Sequence, residues 1–124
     1  MNTSIKILIV DDFATMRRIM KNILKQLGYT NIGEADDGTT ALEEMRKATY
    51  DLIISDWNMP KMTGLELLKK VRTDPVYKEV PFLMVTAEAQ KQNVIEAVQA
   101  GVSNYVVKPF TAEAIAEKLD KILD

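Results

Sequence analysis

The stretch KILIVDD, residues 6–12, contains four consecutive apolar residues followed by two aspartates. The run is too short and too evenly apolar for an amphipathic helix, and both properties are typical of a strand buried on both faces of a parallel sheet. The stretch DLIISDW, residues 51–57, repeats the arrangement and places Asp56 at the end of its run. In open parallel sheets, ligands bind at the edge formed by the carboxyl ends of the strands. The two stretches therefore predict that Asp11, Asp12 and Asp56 lie at one such edge.

On either side of these stretches, short apolar runs alternate five times with segments whose apolar residues recur at intervals of three and four. Predicted strands cover roughly residues 5–10, 32–35, 52–55, 82–85 and 105–107. The predicted helices end at Gly28, near Met45, before Pro75, at Gly101 and at Leu123, and Thr111 is the expected N-cap of the last one.

This alternation, with its short connections, predicts a parallel sheet covered by helices on both faces, with right-handed crossovers. We expect an α/β fold of the flavodoxin-like (βα)5 type, a three-layer sandwich with strand order 2-1-3-4-5. That order places the switch point between the first and third strands, which are the strands that end in the three aspartates.

Composition limits the chemistry of the chain. The 124 residues, 47% of them hydrophobic and 27% charged, suit one compact domain, so we expect a single domain over 1–124 with no attached output domain. A net charge of -2 gives no electrostatic footprint for nucleic acid or an anionic membrane. The absence of histidine and cysteine excludes thiolate catalysis and the usual zinc ligands. No segment is apolar for long enough to be a signal peptide or a membrane span, so a cytoplasmic protein is expected.

The aspartate pair has two interpretations. Aspartate is a good N-cap, so Asp12, or less simply Asp11, could serve only to start the first helix. Convergence with Asp56 favours a cation site instead, because two like charges ~4 Å apart repel by roughly 4 kcal/mol at an effective dielectric constant of about 20. Carboxylate oxygens are hard ligands, which suit Mg²⁺, or Mn²⁺, better than zinc. Mg²⁺ usually retains several waters, which leaves positions for a phosphoryl group.

Thr86 and Lys108 directly follow the fourth and fifth predicted strands, at the same edge of the sheet. The threonine hydroxyl could bond only to nearby backbone, or it could donate to a phosphoryl oxygen. The lysine could be an ordinary solvated side chain, or it could pair with the acids and with phosphoryl oxygens as a compact point charge. Together with the three acids, the two residues predict a phosphoryl-binding site.

The stretches LIVDD, ISDWNMP, MVTAEA and YVVKPF resemble the receiver domains of two-component response regulators. The resemblance covers the chain from Ile5 to Leu123. It implies that Asp56 is the phosphoacceptor and that a cis peptide bond precedes Pro109. The Mg²⁺ ligands that it implies are Asp11, Asp12, Asp56 and the main-chain carbonyl of Asn58. The groups that it implies for binding the phosphoryl group are Thr86 and Lys108.

The resemblance also implies a signalling protein rather than an enzyme, apart from its own phosphorylation and dephosphorylation. A histidine kinase would be the phosphodonor, and Asn58 and Glu88 resemble the positions that tune the lifetime of the phosphoaspartate. The output would be a docking event, coupled to the site by Thr86 and Tyr105. The remaining residues expected on the partner face are Lys91, Val94 and Lys118. A monomer acting in chemotaxis is implied, with the flagellar motor switch protein as target and a phosphatase as a further partner that the family allows.

Three alternatives remain at the level of sequence. An aspartate-nucleophile phosphatase of the haloacid dehalogenase kind also uses Mg²⁺, a threonine or serine and a lysine, but its nucleophile follows the first strand. A single-domain phosphorelay intermediate without a motor target would share every site residue. A flavodoxin-like mononucleotide binder would need a phosphate-cradling loop after the first strand, where this chain has two acids. Trp57, beside the acceptor, is expected either to report metal binding by its fluorescence or simply to pack in the loop.

Overall fold

A computed structural model describes residues 3–87 and 91–123, with only the backbone described at residue 91. Within these ranges, strands and helices alternate along the chain. The strands are β1 (Ile7–Val10), β2 (Ile32–Ala35), β3 (Leu52–Asp56), β4 (Phe82–Thr86) and β5 (Asn104–Val107). The helices are α1 (Ala14–Gln26), α2 (Gly38–Lys47), α3 (Gly64–Thr73), α4 (Lys91–Gln99) and α5 (Ala112–Leu123).

The strands form one parallel sheet in the order β2-β1-β3-β4-β5, which confirms the predicted topology. Every residue of β1, β3 and β4 is buried, whereas the two edge strands are only partly covered. In the register of the sheet, Val10 lies opposite Ser55, and Asp56 lies opposite Val85. The carboxyl ends of β1 and β3 are therefore adjacent, as the sequence predicts.

Each face of the sheet has its own apolar core, because successive strand residues point to opposite faces. Leu8 and Ile53 pack in the cluster that includes buried residues of α2 and α3. Ile7 and Ile54 pack in the cluster that includes buried residues of α1 and α5. These two cores define the expected three-layer sandwich. None of the helices in the described ranges has the length and apolar character needed to cross a membrane.

The predicted ends of the elements are largely correct. Gly28 and Gly101 follow α1 and α4 with φ angles of +101° and +92°, a conformation that glycine adopts without steric cost. Thr111 caps α5, since its Oγ1 accepts a hydrogen bond of 3.1 Å from the Ala114 N–H. The expected first strand is shorter than predicted and begins at Ile7.

The capping interpretation of the aspartate pair is wrong. The N-cap of α1 is Phe13, and no side chain makes a capping hydrogen bond there. Asp11 Oδ1 instead accepts a hydrogen bond of 2.9 Å from the N–H of Phe13, outside the helix. The two aspartates are thus available for another role at the edge of the sheet.

Candidate functional site

Three aspartates converge where β1 and β3 end. Asp11 and Asp12 directly follow β1, and Asp56 is the last residue of β3. The N–H of Asp11 donates to the carbonyl of Ala35 at 3.1 Å, which continues the β1–β2 ladder by one residue. One carboxylate oxygen from each aspartate lies within 4.8 Å of the others. The sheet order therefore produces the predicted acidic cluster.

The cluster is largely shielded from solvent. Asp11 and Asp56 are each only 6% exposed. Burial is the main cause that raises the pKa of Asp11 above its usual range. The hydrogen bond from Phe13 lowers this pKa, and the negative charge of Asp56 raises it further. The resting cluster is thus an unfavourable arrangement of like charges, which a cation would relieve.

Lys108 supplies a positive charge to this cluster. Its Nζ lies 2.9 Å from Asp56 Oδ1 and 3.8 Å from Asp11 Oδ2. Its main-chain N–H donates to the carbonyl of Thr86 at 2.7 Å, and its peptide bond to Pro109 is cis, as the family resemblance implies. The predicted meeting of this lysine with the acids is confirmed.

The carboxylate oxygens of the cluster fit a hard divalent cation as ligands. Asp12 Oδ1 is buried and has no hydrogen-bond partner among the described residues. Three carboxylates against one ammonium leave two negative charges at the cluster, and all the donor atoms are oxygens. Oxygen donors of this kind suit Mg²⁺ or Mn²⁺. Asn58, whose carbonyl the resemblance adds to the ligands, lies two residues beyond Asp56 with an exposed side chain.

Thr86 lies at the same edge of the sheet as the cluster, where its carbonyl accepts the hydrogen bond from the Lys108 N–H. It is the last residue of β4 and is only 5% exposed. Together with Trp57, Val94 and Tyr105 it lines a small cavity under α4. Lys118 Nζ lies 5.7 Å from the centroid of the Tyr105 ring, so this contact extends from β5 to α5. The structure therefore brings four of the predicted switch and partner residues into one continuous region.

Two predicted residues are not placed by the structure. Glu88 lies outside the described residues, and so does the side chain of Lys91, whose backbone begins α4. Their expected roles in phosphoryl lifetime and docking stay predictions.

Gly64 is a site residue that the sequence reasoning missed. Its N–H donates to the carbonyl of Trp57 at 2.8 Å, and a Cβ at this position would collide with the carbonyl oxygen of Asp56. The start of α3 thus packs directly against the backbone of the candidate acceptor. A signal was present, because Thr63 and Glu66 form a capping box around this glycine and fix the start of the helix.

Comparison with known proteins finds relatives that match nearly the whole chain in sequence and in fold. The sequence model of the response regulator receiver domain matches residues 7–120. Chemotaxis protein CheY of Pseudomonas aeruginosa is 60% identical over 119 residues, which cover 96% of each chain. Chemotaxis protein CheY-3 of Vibrio cholerae is 56% identical over 124 residues, which cover all of this chain and 95% of that protein. The solved structure of the chemotaxis response regulator CheY4 of Vibrio cholerae superposes with a TM-score of 0.89 at 39% identity, covering 97% of this chain and 99% of that one.

Proposed function

Because this chain belongs to the family of response regulator receiver domains, we propose that Asp56 accepts a phosphoryl group from a histidine kinase. The observation that carries the proposal is the contact of Lys108 with Asp56 inside a cluster of three carboxylates. A carboxylate beside a fixed ammonium and a cation site can act as a nucleophile toward phosphorus, since its surroundings offset the charge of the incoming group.

In the proposed reaction, an oxygen of Asp56 attacks the phosphorus of an N-phosphohistidine. The O–P bond forms as the P–N bond breaks, and the electron pair of that bond stays on the imidazole nitrogen of the kinase. Lys108 exchanges its hydrogen bond with the carboxylate for one with a phosphoryl oxygen. Mg²⁺, bound by Asp11, Asp12, Asp56 and the Asn58 carbonyl, would supply further charge neutralisation. Positioning and electrostatics do most of the work in such transfers.

The output of the proposed switch is a docking event. Thr86 would donate its hydroxyl to the bound phosphoryl group and change its packing against Tyr105, which shares its cavity. A partner that prefers the phosphorylated arrangement of α4, β5 and α5 is then coupled reciprocally to the phosphoryl group. We propose a role in chemotaxis, in the cytoplasm and as a monomer, with the flagellar motor switch protein as target. Asn58 and Glu88 would tune the lifetime of the phosphoaspartate before water removes the phosphoryl group.

The chemistry is tested by adding acetyl phosphate and Mg²⁺ and measuring the intact mass of the protein. We expect one phosphoryl group on the wild type, none on Asp56→Asn, and normal labelling on Asp51→Asn, which changes an exposed aspartate directly before the same strand. Trp57 fluorescence gives a second readout of the same reaction. Labelling that persists in Asp56→Asn would refute the assignment of the acceptor.

The target is tested separately with a beryllium fluoride mimic of the phosphoryl group. A motor-switch peptide is expected to bind the protein with the mimic much more tightly than the resting protein, and equal affinities would exclude the motor target while leaving the receiver chemistry intact. A phosphorelay intermediate would instead pass its phosphoryl group to a second histidine protein. Sustained turnover of small phosphate esters would support the phosphatase alternative.

A further inference from the structure

An arginine of α1 links the main chain of the aspartate pair to a glutamate on β2. Arg17 Nη1 donates a hydrogen bond of 2.7 Å to the main-chain carbonyl of Asp11. Its Nε lies 3.1 Å from Glu34 Oε1 on β2, and Lys21 Nζ lies 3.4 Å from the other oxygen of Glu34. From this arrangement we infer that Arg17 is a positioning residue for the metal site, and that Glu34 holds its guanidinium in place. The inference rests on the proposed Mg²⁺ site.

The hydrogen bond from Arg17 completes the constraint on Asp11. The N–H of Asp11 is bound to β2 through the carbonyl of Ala35, and its Oδ1 is bound by the N–H of Phe13. Its Oδ2 faces Lys108, and its carbonyl is the acceptor for Arg17. Every polar atom of Asp11 thus has a partner. Because this carbonyl belongs to the peptide that joins Asp11 to Asp12, Arg17 fixes the direction in which the chain enters Asp12.

The position of Arg17 is not explained by the stability of its own helix. It follows the N-cap of α1 by four residues, as its N–H donates to the carbonyl of Phe13, and the first turn of α1 contains no acid. A cation near the N-terminus of a helix is opposed by the helix dipole. The side chain is nevertheless only 19% exposed and reaches out of the helix in two directions, toward the Asp11 carbonyl and toward Glu34. A planar guanidinium can bind both acceptors at once, which one ammonium cannot do with the same geometry.

A positioning role and a simple electrostatic role predict opposite changes in Mg²⁺ affinity when Arg17 is removed. If Arg17 acted only through its charge, its removal would strengthen binding of a nearby cation, and screening would limit the gain to about twofold. If Arg17 orients the Asp11–Asp12 peptide, its removal weakens binding by about tenfold, the lower end of the range found for groups that orient metal ligands.

The experiment compares Arg17→Met with Arg18→Met by isothermal titration with Mg²⁺. Arg18 is the exposed neighbour on the same helix, so the two variants remove the same charge from adjacent positions. We expect the dissociation constant for Mg²⁺ to rise about tenfold in Arg17→Met and to stay within about twofold of wild type in Arg18→Met. Urea unfolding in EDTA is measured alongside, because an arginine that only stabilises the fold would lower the unfolding midpoint without changing Mg²⁺ affinity.

An Arg17→Met protein that folds and binds Mg²⁺ as tightly as Arg18→Met overturns the inference. Should Arg17→Met fail to fold, Glu34→Met keeps the test open, because it removes the acceptor that holds the guanidinium. A dissociation constant for Mg²⁺ within about twofold of wild type in that variant also overturns the inference. A wild-type protein that does not bind Mg²⁺ refutes the proposed metal site itself. The failure of the proposed function and the failure of this inference are therefore distinguishable.

Discussion

Lys108 Nζ is nearly 1 Å closer to Asp56 than to Asp11, at 2.9 Å against 3.8 Å. The lysine is therefore on the Asp56 side of the acidic cluster, and its side chain is only 22% exposed. An ammonium in this position stabilises the resting carboxylate. In the proposed reaction, the same ammonium would bind the negatively charged oxygens of the phosphoryl group. This single contact connects the resting state to the proposed reaction.

Replacement of Lys108 by arginine should preserve the charge and impair the output. A guanidinium is larger than an ammonium and cannot act as a compact point charge at the same place. We expect Asp56 to be labelled more slowly and the mimic-dependent gain in affinity for a motor-switch peptide to be lost. The measurement is the ratio of peptide dissociation constants with and without beryllium fluoride, with Lys61→Arg as an exposed control. Full retention of that ratio in Lys108→Arg would refute this role for the lysine.

Asp12→Asn should stabilise the protein when no metal is present. The change removes one of three neighbouring carboxylate charges, and the affected side chain has a buried oxygen without a hydrogen-bond partner among the described residues. In EDTA we expect the free energy of unfolding to rise by about 1–2 kcal/mol. In Mg²⁺ the variant should gain less stability than the wild type, since one ligand charge is lost. Urea unfolding measures both effects, and a variant less stable than wild type in EDTA would contradict the charge argument. The control is Asp120→Asn, which changes an exposed residue of α5.

Gly64→Ala and Gly38→Ala form a matched pair. Both glycines are the first residue of a helix and follow an N-cap with a complete capping box. A Cβ at residue 64 would meet the carbonyl of Asp56, which is backbone, whereas a Cβ at residue 38 would meet the flexible side chain of Met62. We expect Gly64→Ala to lower the free energy of unfolding by about 3 kcal/mol and Gly38→Ala by about 1 kcal/mol. Equal losses in urea unfolding would show that the Asp56 backbone yields as easily as a methionine side chain.

The capping box at α3 should give a pH-dependent contribution to stability. The N–H of Thr63 and then its hydroxyl hold the pKa of Glu66 below its usual range. A carboxyl group whose pKa is lowered by folding contributes stability that is present above the pKa of the unfolded state and is lost as the pH falls through the pKa of the folded state. We therefore expect the stability difference between wild type and Glu66→Gln to shrink from neutral pH to about pH 3. A difference that is constant over this range, measured by urea unfolding, would contradict the lowered pKa.

The fold could be predicted from the sequence because its decisive signals are local. Continuous apolar runs such as Ile7–Val10 and Leu52–Ser55 identify buried parallel strands, and the glycines after α1 and α4 mark the ends of their helices. The acidic cluster followed from the same signals, since parallel strands bring their carboxyl ends to one edge. The N-cap interpretation of Asp12, or less simply Asp11, failed because the N-cap of α1 is Phe13. The Asp11 side chain binds the N–H of Phe13 itself, before the first residue of the helix.

The supporting contacts of the site could not be predicted in this way. The hydrogen bond from Arg17 to the Asp11 carbonyl depends on the path of α1 relative to the end of β1, and its partner Glu34 comes from a strand seventeen residues further along the chain. The contact of Gly64 with Asp56 depends on how the β3–α3 loop closes. Both contacts are made to a main-chain carbonyl, whose position follows from the packed fold rather than from residue type.

The distribution of the site over the sheet has a consequence for synthesis of the protein. Asp11 and Asp12 follow the first strand, Asp56 ends the third, and Lys108 follows β5, the last strand in the chain. A chain still emerging from the ribosome holds its acids before it holds the lysine that pairs with them. The proposed acceptance of a phosphoryl group therefore requires the sheet to be complete through β5, because a chain that ends before Lys108 lacks the ammonium that contacts Asp56.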